Sequence, residues 1–413
     1  MNKVTSSLFG KILKTLFFVL FITDSYSQYV FNSNVLSDKI SLHEHTAIAD
    51  VGQRELDIQF VINNYESLNP KKLETESDYL DFTENHFWSE SEIKNNTDSE
   101  LYYYLDTARP ITDLVELFIL DVNTGKITKK ISGDAMPYSE RDYDNQNTLF
   151  NLKIPPRADL KLFIHLKSDG EVVKFPIVLY SPDRLIKMTS REQLVFGFFY
   201  GSLGIVAIIY FFFFLALRER TFLYYVLYVI SVGLLQFALD GYFYQLVTPG
   251  GGWFSNHAVL FFAIIGAFLT GKYSEVFLRI KKHSKKIYNL FKISYGLLFA
   301  LLVAAALAPP ALPYCYILVN MFALVFLVLI IYSIAFLYYN NKRVDSFFTT
   351  GIFFLILGFG VFILNNIGAI GNNFITLNSS KLGTGLEVVF LSLSMSNLIR
   401  KLKNEKRGTA RCS

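Results

Sequence analysis

The chain has 413 residues, room for two or three domains, with 52% hydrophobic residues, 40 Phe, 25 Tyr and a formal charge of +4 at pH 7. That charge, with no long basic stretch interleaved with aromatics, sets aside a nucleic-acid partner. The two cysteines, Cys315 and Cys412, both lie late in the chain, so a disulfide-stapled domain near the start is excluded.

Residues 1–27 read as a signal peptide. Lys3, Lys11 and Lys14 make a basic start, Leu16 to Ile22 is a short apolar run, and Ser25 and Ser27 are the small residues before Gln28. That run is too short to cross a hydrocarbon core of ~30 Å at ~1.5 Å per residue. The domain that begins at Gln28 is expected to be exported.

Residues 28–182 carry the period of strands. Short apolar or alternating runs appear at Leu56 to Val61, Leu101 to Leu105, Leu114 to Leu120, Leu149 to Ile154, Leu160 to Leu166 and Val172 to Leu179. Asn123-Thr124-Gly125 and Ser168-Asp169-Gly170 have the composition of hairpin turns. With no convincing helix between the strands, the expected fold is a jelly-roll-like β-sandwich.

No catalytic arrangement of Ser, His and Asp, of Cys and His, or of paired carboxylates is visible here. His43 and His45 could ligate a metal, but two alternating residues with no third ligand spaced nearby are a common strand pattern. No metal and no cofactor is therefore expected. Asp134 and Arg141, with Asp142 and Asp144, form a polar segment that reads either as a ligand-contacting rim or as an ordinary solvated loop. Trp88, beside Phe87, reads either as a core anchor or as a platform for stacking a sugar.

After a linker at 183–193, residues 194–399 hold seven apolar segments. They run roughly Leu194 to Leu217, Thr221 to Tyr242, Ala258 to Leu278, Tyr288 to Ala308, Tyr314 to Tyr339, Phe347 to Ile367 and Gly383 to Ile399. Most reach the ~20 residues a helix needs to cross a bilayer, and unpaired backbone groups in lipid require helices. The loops alternate in charge. Arg218 and Arg220, then Arg279 to Lys286, then Lys342 and Arg343, then a short basic tail at 400–413 lie on one side. The other loops contribute only Lys381. Basic residues mark the cytoplasmic side, so the N-terminal domain is expected outside and the C-terminus inside a bacterial inner membrane.

Charges inside a bilayer cost about 2.5–3.5 kcal/mol each or more. Asp240, near the outer end of the second span, and Glu387, one turn into the seventh, are therefore the expected signal-transmitting groups. The bland alternative puts Asp240 in water at the interface. Glu387 with Ser392, Ser394 and Ser396 gives the seventh span a polar stripe expected to face the bundle interior. That span has no mid-helix Lys for a retinal Schiff base.

Several motifs together resemble one family. They are Phe87-Trp88, Ile131 to Asp134, Tyr138 to Arg141 and Phe175 to Leu179 before the membrane. Within it stand Gly197 to Gly201, Thr221 to Tyr225, Leu239 to Tyr242, Leu386 to Val389 and Leu391 to Leu393. In this order and spacing the chain resembles the bacterial seven-transmembrane receptors with diverse intracellular signalling modules (7TMR-DISM), with their second type of extracellular domain. The resemblance implies a jelly-roll domain that binds carbohydrate or a similar small ligand, and a receptor rather than an enzyme. Members typically continue into an output domain, whereas here only a short tail follows Lys401. The expected partners are the lipid bilayer, a small-molecule or carbohydrate ligand, a separate cytoplasmic kinase or regulator, and a second copy of the chain. A membrane transport or envelope-assembly protein whose β-domain docks a partner is the alternative from another class.

Overall fold

The computed structural model describes residues 28–32, 36–73, 75, 77–366, 370–371 and 373–412. The signal-peptide reading of residues 1–27 falls outside the described residues. An antiparallel β-domain comes first and seven long apolar helices come after it.

The β-domain is a sandwich because its strands alternate. Strand β7 (Leu101–Ala108) buries every second residue along most of its length, as the period of two requires. It joins β10 (Thr148–Ile154), β13 (Val178–Tyr180) and β2 (Lys39–Ser41) in a four-stranded sheet ordered β10-β7-β13-β2. The larger, seven-stranded sheet is centred on β6 (Phe87–Asn95), β11 (Asp159–Lys167) and β8 (Leu114–Asp121). Its flanks are β3 (Thr46–Asp50), β4 (Lys71–Lys72) and β9 (Ile127–Ser132), with β1 (Tyr29–Phe31) running parallel beside β6. Between the sheets, Ile93, Leu117, Leu162 and Ile164 meet Leu105, Phe150, Leu152 and Leu179. Each such side chain contributes about 1.5–3 kcal/mol by leaving water. A two-stranded ribbon pairs β12 (Val172–Pro176) with β5 (Ser77–Phe82).

Two local expectations are corrected. Leu56 to Val61 is not a strand: Ile58–Asn64 is a helix, started by Asp57, whose carboxylate accepts from the Gln59 N–H at 2.8 Å. Ile58, Val61, Tyr65 and Leu68 recur at helical spacing and cover the outer face of the large sheet over Trp88, Phe118 and Phe163. A six-residue window was too short to show that period. The second correction is the Ser168-Asp169-Gly170 turn. Strand β11 pairs with β6 and β8, whereas β12 crosses to β5, so this segment is a crossover and not a hairpin. Asn123-Thr124-Gly125 does close the β8–β9 hairpin, with Gly125 at φ 70°.

The seven long helices are α1 (Pro182–Leu217), α2 (Arg220–Leu239), α3 (Ala258–Phe277), α4 (Lys285–Leu307), α5 (Leu312–Tyr339), α6 (Ser346–Asn366) and α7 (Ser379–Cys412). The stretch 183–193 is the first part of α1 and not an irregular linker. Ser181 caps that helix by accepting from the Arg184 N–H at 3.3 Å, and Pro182 supplies a preset first turn. The basic segment from Arg400 is likewise the continuation of α7, through Cys412. Leu194, Phe198, Phe212 and Leu307 are exposed on the outside, where a bilayer would cover them. Inside the bundle Phe222, Tyr225, Tyr228, Tyr273, Phe291 and Phe326 are buried.

Candidate functional site

The loop at 133–147 folds down onto the connection between α2 and α3, and the seam between β-domain and bundle is built there. Its organiser is Arg141. The guanidinium donates to the carbonyls of Gly133 (3.2 Å), Asn145 (3.1 Å), Gln146 (3.2 Å) and Pro110 (3.4 Å). It also lies over the ring of Tyr244, 4.8 Å from the centroid, and over Tyr138 at 5.4 Å. Tyr138 donates its backbone N–H to Pro249 at 2.8 Å, and the Tyr244 hydroxyl donates to the carbonyl of Met136. Arg141 therefore clamps a β-domain loop and reaches the bundle with the same side chain. It faces the seam and is not on an open rim.

Beside it four carboxylates are gathered: Asp113, Asp134, Asp169 and Glu171. Asp134 is 3% exposed. Asp134 Oδ1 and both Glu171 carboxylate oxygens have no hydrogen-bond partner among the described residues. Burial pushes the Asp134 carboxyl up to about 7, further raised by Asp169 and opposed by Arg141. Burial and neighbouring carboxylates likewise raise Asp113 and Glu171 well above the usual carboxylate range.

The bundle answers with His257, just before α3. Its Nδ1 donates to the carbonyl of Trp253 at 2.6 Å, so that nitrogen carries a proton, and its Nε2 lies 2.8 Å from Asp169 Oδ2. Asp169 beside that second nitrogen favours the doubly protonated, cationic ring. Burial alone would lower the imidazole, but Asp169, the Trp253 carbonyl and Asp134 together raise it above its ordinary value. The seam thus gathers titratable groups from both halves of the protein, each shifted towards its protonated form.

Close backbone approach completes the contact. Gly241 has φ 80°, and a Cβ there would come within 2.7 Å of Pro110 Cβ. The void beside Asp134, Ile111 and Tyr244 is only about 10 Å³, room for about one water and none for a sugar.

Below the seam two further groups of polar contacts lie between the helices. Asp240 pairs with Lys381 of α7 at 2.7 Å and accepts from the Tyr200 hydroxyl of α1. It is 8% exposed, so it is a buried ion-pair partner and not a side chain in open water at the interface. Further in, the Tyr228 hydroxyl donates to Glu387, which is 1% exposed. Tyr225 donates to the Val388 carbonyl at 2.9 Å, and Tyr210 to the Ser392 carbonyl at 2.6 Å. Ser394 is buried with Glu387, but Ser396 is exposed on the opposite face. At 3.6 residues per turn, nine residues separate Glu387 from Ser396 by half a turn, so the stripe is shorter than expected.

The remaining expected residues lie elsewhere. Trp88 is a core side chain, 2% exposed, stacked on His165 (4.7 Å between centroids) and Phe118 (5.7 Å). His43 and His45 lie on a tight turn and separate, His43 towards Ser41 Oγ (2.9 Å) and His45 against the ring of Tyr29. Among the described residues no group of three or more His, Cys, Asp or Glu is placed to hold a metal. Sequence reasoning missed His257, Asp169, Asp113 and Glu171. It also missed the chain in which His86 Nδ1 meets His165 Nε2 at 2.9 Å and His165 Nδ1 meets Glu116 at 2.7 Å. None of these has a motif; each is joined only by the fold.

Comparison with known families agrees with this architecture. The model for 7TM diverse intracellular signalling matches residues 192–397, and that for 7TMR-DISM extracellular domain 2 matches residues 45–181. No curated protein matches the chain.

Proposed function

We propose, from the premise that this chain belongs to the 7TMR-DISM family, that it is a non-enzymatic receptor whose β-domain binds a small extracytoplasmic ligand, carbohydrate among the candidates. The observation that carries this reading is the seam. Arg141 fixes a β-domain loop with four carbonyl contacts and touches Tyr244 of the bundle with the same guanidinium. A change in that loop therefore changes the contact on the helices. The polar contacts of Asp240 with Lys381, and those of Glu387 and Ser392, then bias how α7 sits against α1 and α2.

The seven crossings and the basic residues at the far end support a C-terminus in the cytoplasm of a bacterial inner membrane. There α7, which extends past the bilayer as a basic helix, would hand the change to a separate kinase or regulator, or to a second copy of the chain.

The test is hydrogen exchange on the full chain in nanodiscs. Arg141→Ala should increase exchange in 133–147 and also change protection in α7 between 387 and 403. Addition of a panel of soluble oligosaccharides should move the same two regions for any sugar that binds. If α7 is indifferent to Arg141→Ala, the two halves are uncoupled and the receptor reading fails.

A further inference from the structure

At the end of the bundle far from the β-domain, where α2 begins, α3 ends and α4 begins, there is a cavity of about 530 Å³. This is within the range of about 300–1,000 Å³ usual for small-ligand sites. Five cations, Arg220, Lys272, Arg279, Lys281 and Lys282, line it against a single carboxylate, Glu275.

That carboxylate is already answered. Lys272 Nζ is 2.8 Å from Glu275 Oε2, and the Tyr295 hydroxyl donates to the same oxygen at 3.1 Å. Lys272 also lies between the rings of Tyr224 and Tyr295, at 5.7 and 5.6 Å. Arg220, Arg279, Lys281 and Lys282 form no ion pair among the described residues. Four exposed like charges therefore border one concavity, with no carboxylate among the described residues paired to them.

Topology accounts for basic residues at this end of the helices, but not for a basic cavity. Arg220, Arg279, Lys281 and Lys282 keep their side chains exposed, yet all four border the same concavity. Here Lys272 is inside α3, half-buried, and Arg279 is held at φ 51° between α3 and the short helix Ile280–His283. That left-handed backbone is disfavoured for a side chain. It is fixed by burial of Ile280 and by the Lys282 N–H donating to the Arg279 carbonyl at 2.9 Å. Arginine offers a planar fork and lysine a point charge, the pair of donors suited to phosphate oxygens. Tyr224 and Tyr288 add apolar walls with hydroxyls.

We propose that this cavity binds a phosphate-bearing anion, either the headgroup of an anionic lipid or a soluble polyphosphate. Occupancy would neutralise the cluster and tie together the ends of α2, α3 and α4. The site is independent of what the β-domain senses.

The full chain in dodecyl maltoside micelles tests this by native mass spectrometry and thermal shift. The probes are phosphatidylglycerol, phosphatidylcholine and inorganic pyrophosphate. Phosphatidylglycerol or pyrophosphate should bind and raise the melting temperature, while phosphatidylcholine should do neither. Binding of the lipid alone assigns a headgroup site, and binding of pyrophosphate assigns a soluble ligand.

Arg279→Gln with Lys282→Gln should weaken the apparent affinity about tenfold or more. Arg400→Gln with Lys403→Gln removes the same charge outside the cavity and should change it less than about twofold. All four side chains are exposed, and unchanged melting without probe checks that the variants are folded. The proposal is overturned if neither anion binds, or if the two double variants lose affinity equally.

Discussion

Helix α7 is fastened on its two sides by different chemistry. Towards α1 and α2 it is tied by an ion pair, Asp240 to Lys381, and by tyrosine hydroxyls reaching Glu387, Val388 and Ser392. Towards α6 it is packed through glycines. A Cβ on Gly358 would sit 2.7 Å from Gly383 Cα and from the Ser379 carbonyl, and Gly351 lies under the Glu387 carbonyl. Close backbone packing needs one geometry to stay favourable. Hydroxyl and charge contacts can exchange partners, which makes the α1–α2 side the one suited to switching.

The largest effect should come from stranding a charge. Lys381→Met leaves Asp240 buried with, among the described residues, the Tyr200 hydroxyl alone, at a cost of about 3 kcal/mol or more. Thermal unfolding of the full chain in micelles should show this, and Asp240→Asn added to Lys381→Met should restore most of the loss. If the double variant is no better than the single one, the pair is not the fastening on this side.

Next is Gly358→Val, which drives a branched side chain into α7 and should cost about 2 kcal/mol. The same unfolding measurement applies, and a silent substitution would mean that α6 and α7 are not locked by close approach.

Tyr228→Phe should be milder, about 1 kcal/mol, because hydrogen bonds between membrane helices average less than that. Glu387→Gln, which keeps an acceptor for Tyr228, should cost less again. A loss from Tyr228→Phe as large as that from Lys381→Met would reverse the ranking of the two polar contacts.

The most graded response is to pH, and it should distinguish the seam from the α6–α7 contact. Asp134, raised to about 7, and Asp113 and Glu171, raised well above the usual range, prefer to be neutral in the closed seam. For an acid raised on folding, the contribution is fully present below the unfolded value and is lost as pH climbs through the folded one. His257, also raised, has the same sign, since its proton is retained by Asp169. Arg109 and Arg141 oppose the carboxylate shifts without titrating. Exchange protection at 133–147 and 243–257 should therefore be greater at pH 5.5 than at pH 8. Protection of the α6–α7 contact should not change. Equal change at the seam and at the α6–α7 contact, or greater protection at pH 8, would show that the seam does not hold these protons.

Much of this could be read along the chain because it is local or periodic. Strands such as β7 declare a period of two, and seven long apolar runs declare helices, with basic residues gathered in alternate loops. Asp240 and Glu387 stood out because an isolated carboxylate is conspicuous among apolar residues. Their roles did not, since Lys381 and Tyr228 are distant in sequence. Trp88 could be core or platform until the helix Ile58–Asn64 was seen to cover it. Arg141 could belong to a ligand-contacting rim or to a solvated loop, because nothing local reveals that its loop folds against Tyr244.

The sequence by itself determined the classes of structure: a β-domain, seven helices, and a charge asymmetry between their ends. These arise from hydrophobic period, run length and loop composition, each a property of neighbouring residues. Only the tertiary structure decided what the polar residues do. Pairing Asp169 with His257, Asp240 with Lys381 and Glu387 with Tyr228 depends on which elements pack side by side, and burial supplies the low dielectric that gives those pairings their weight.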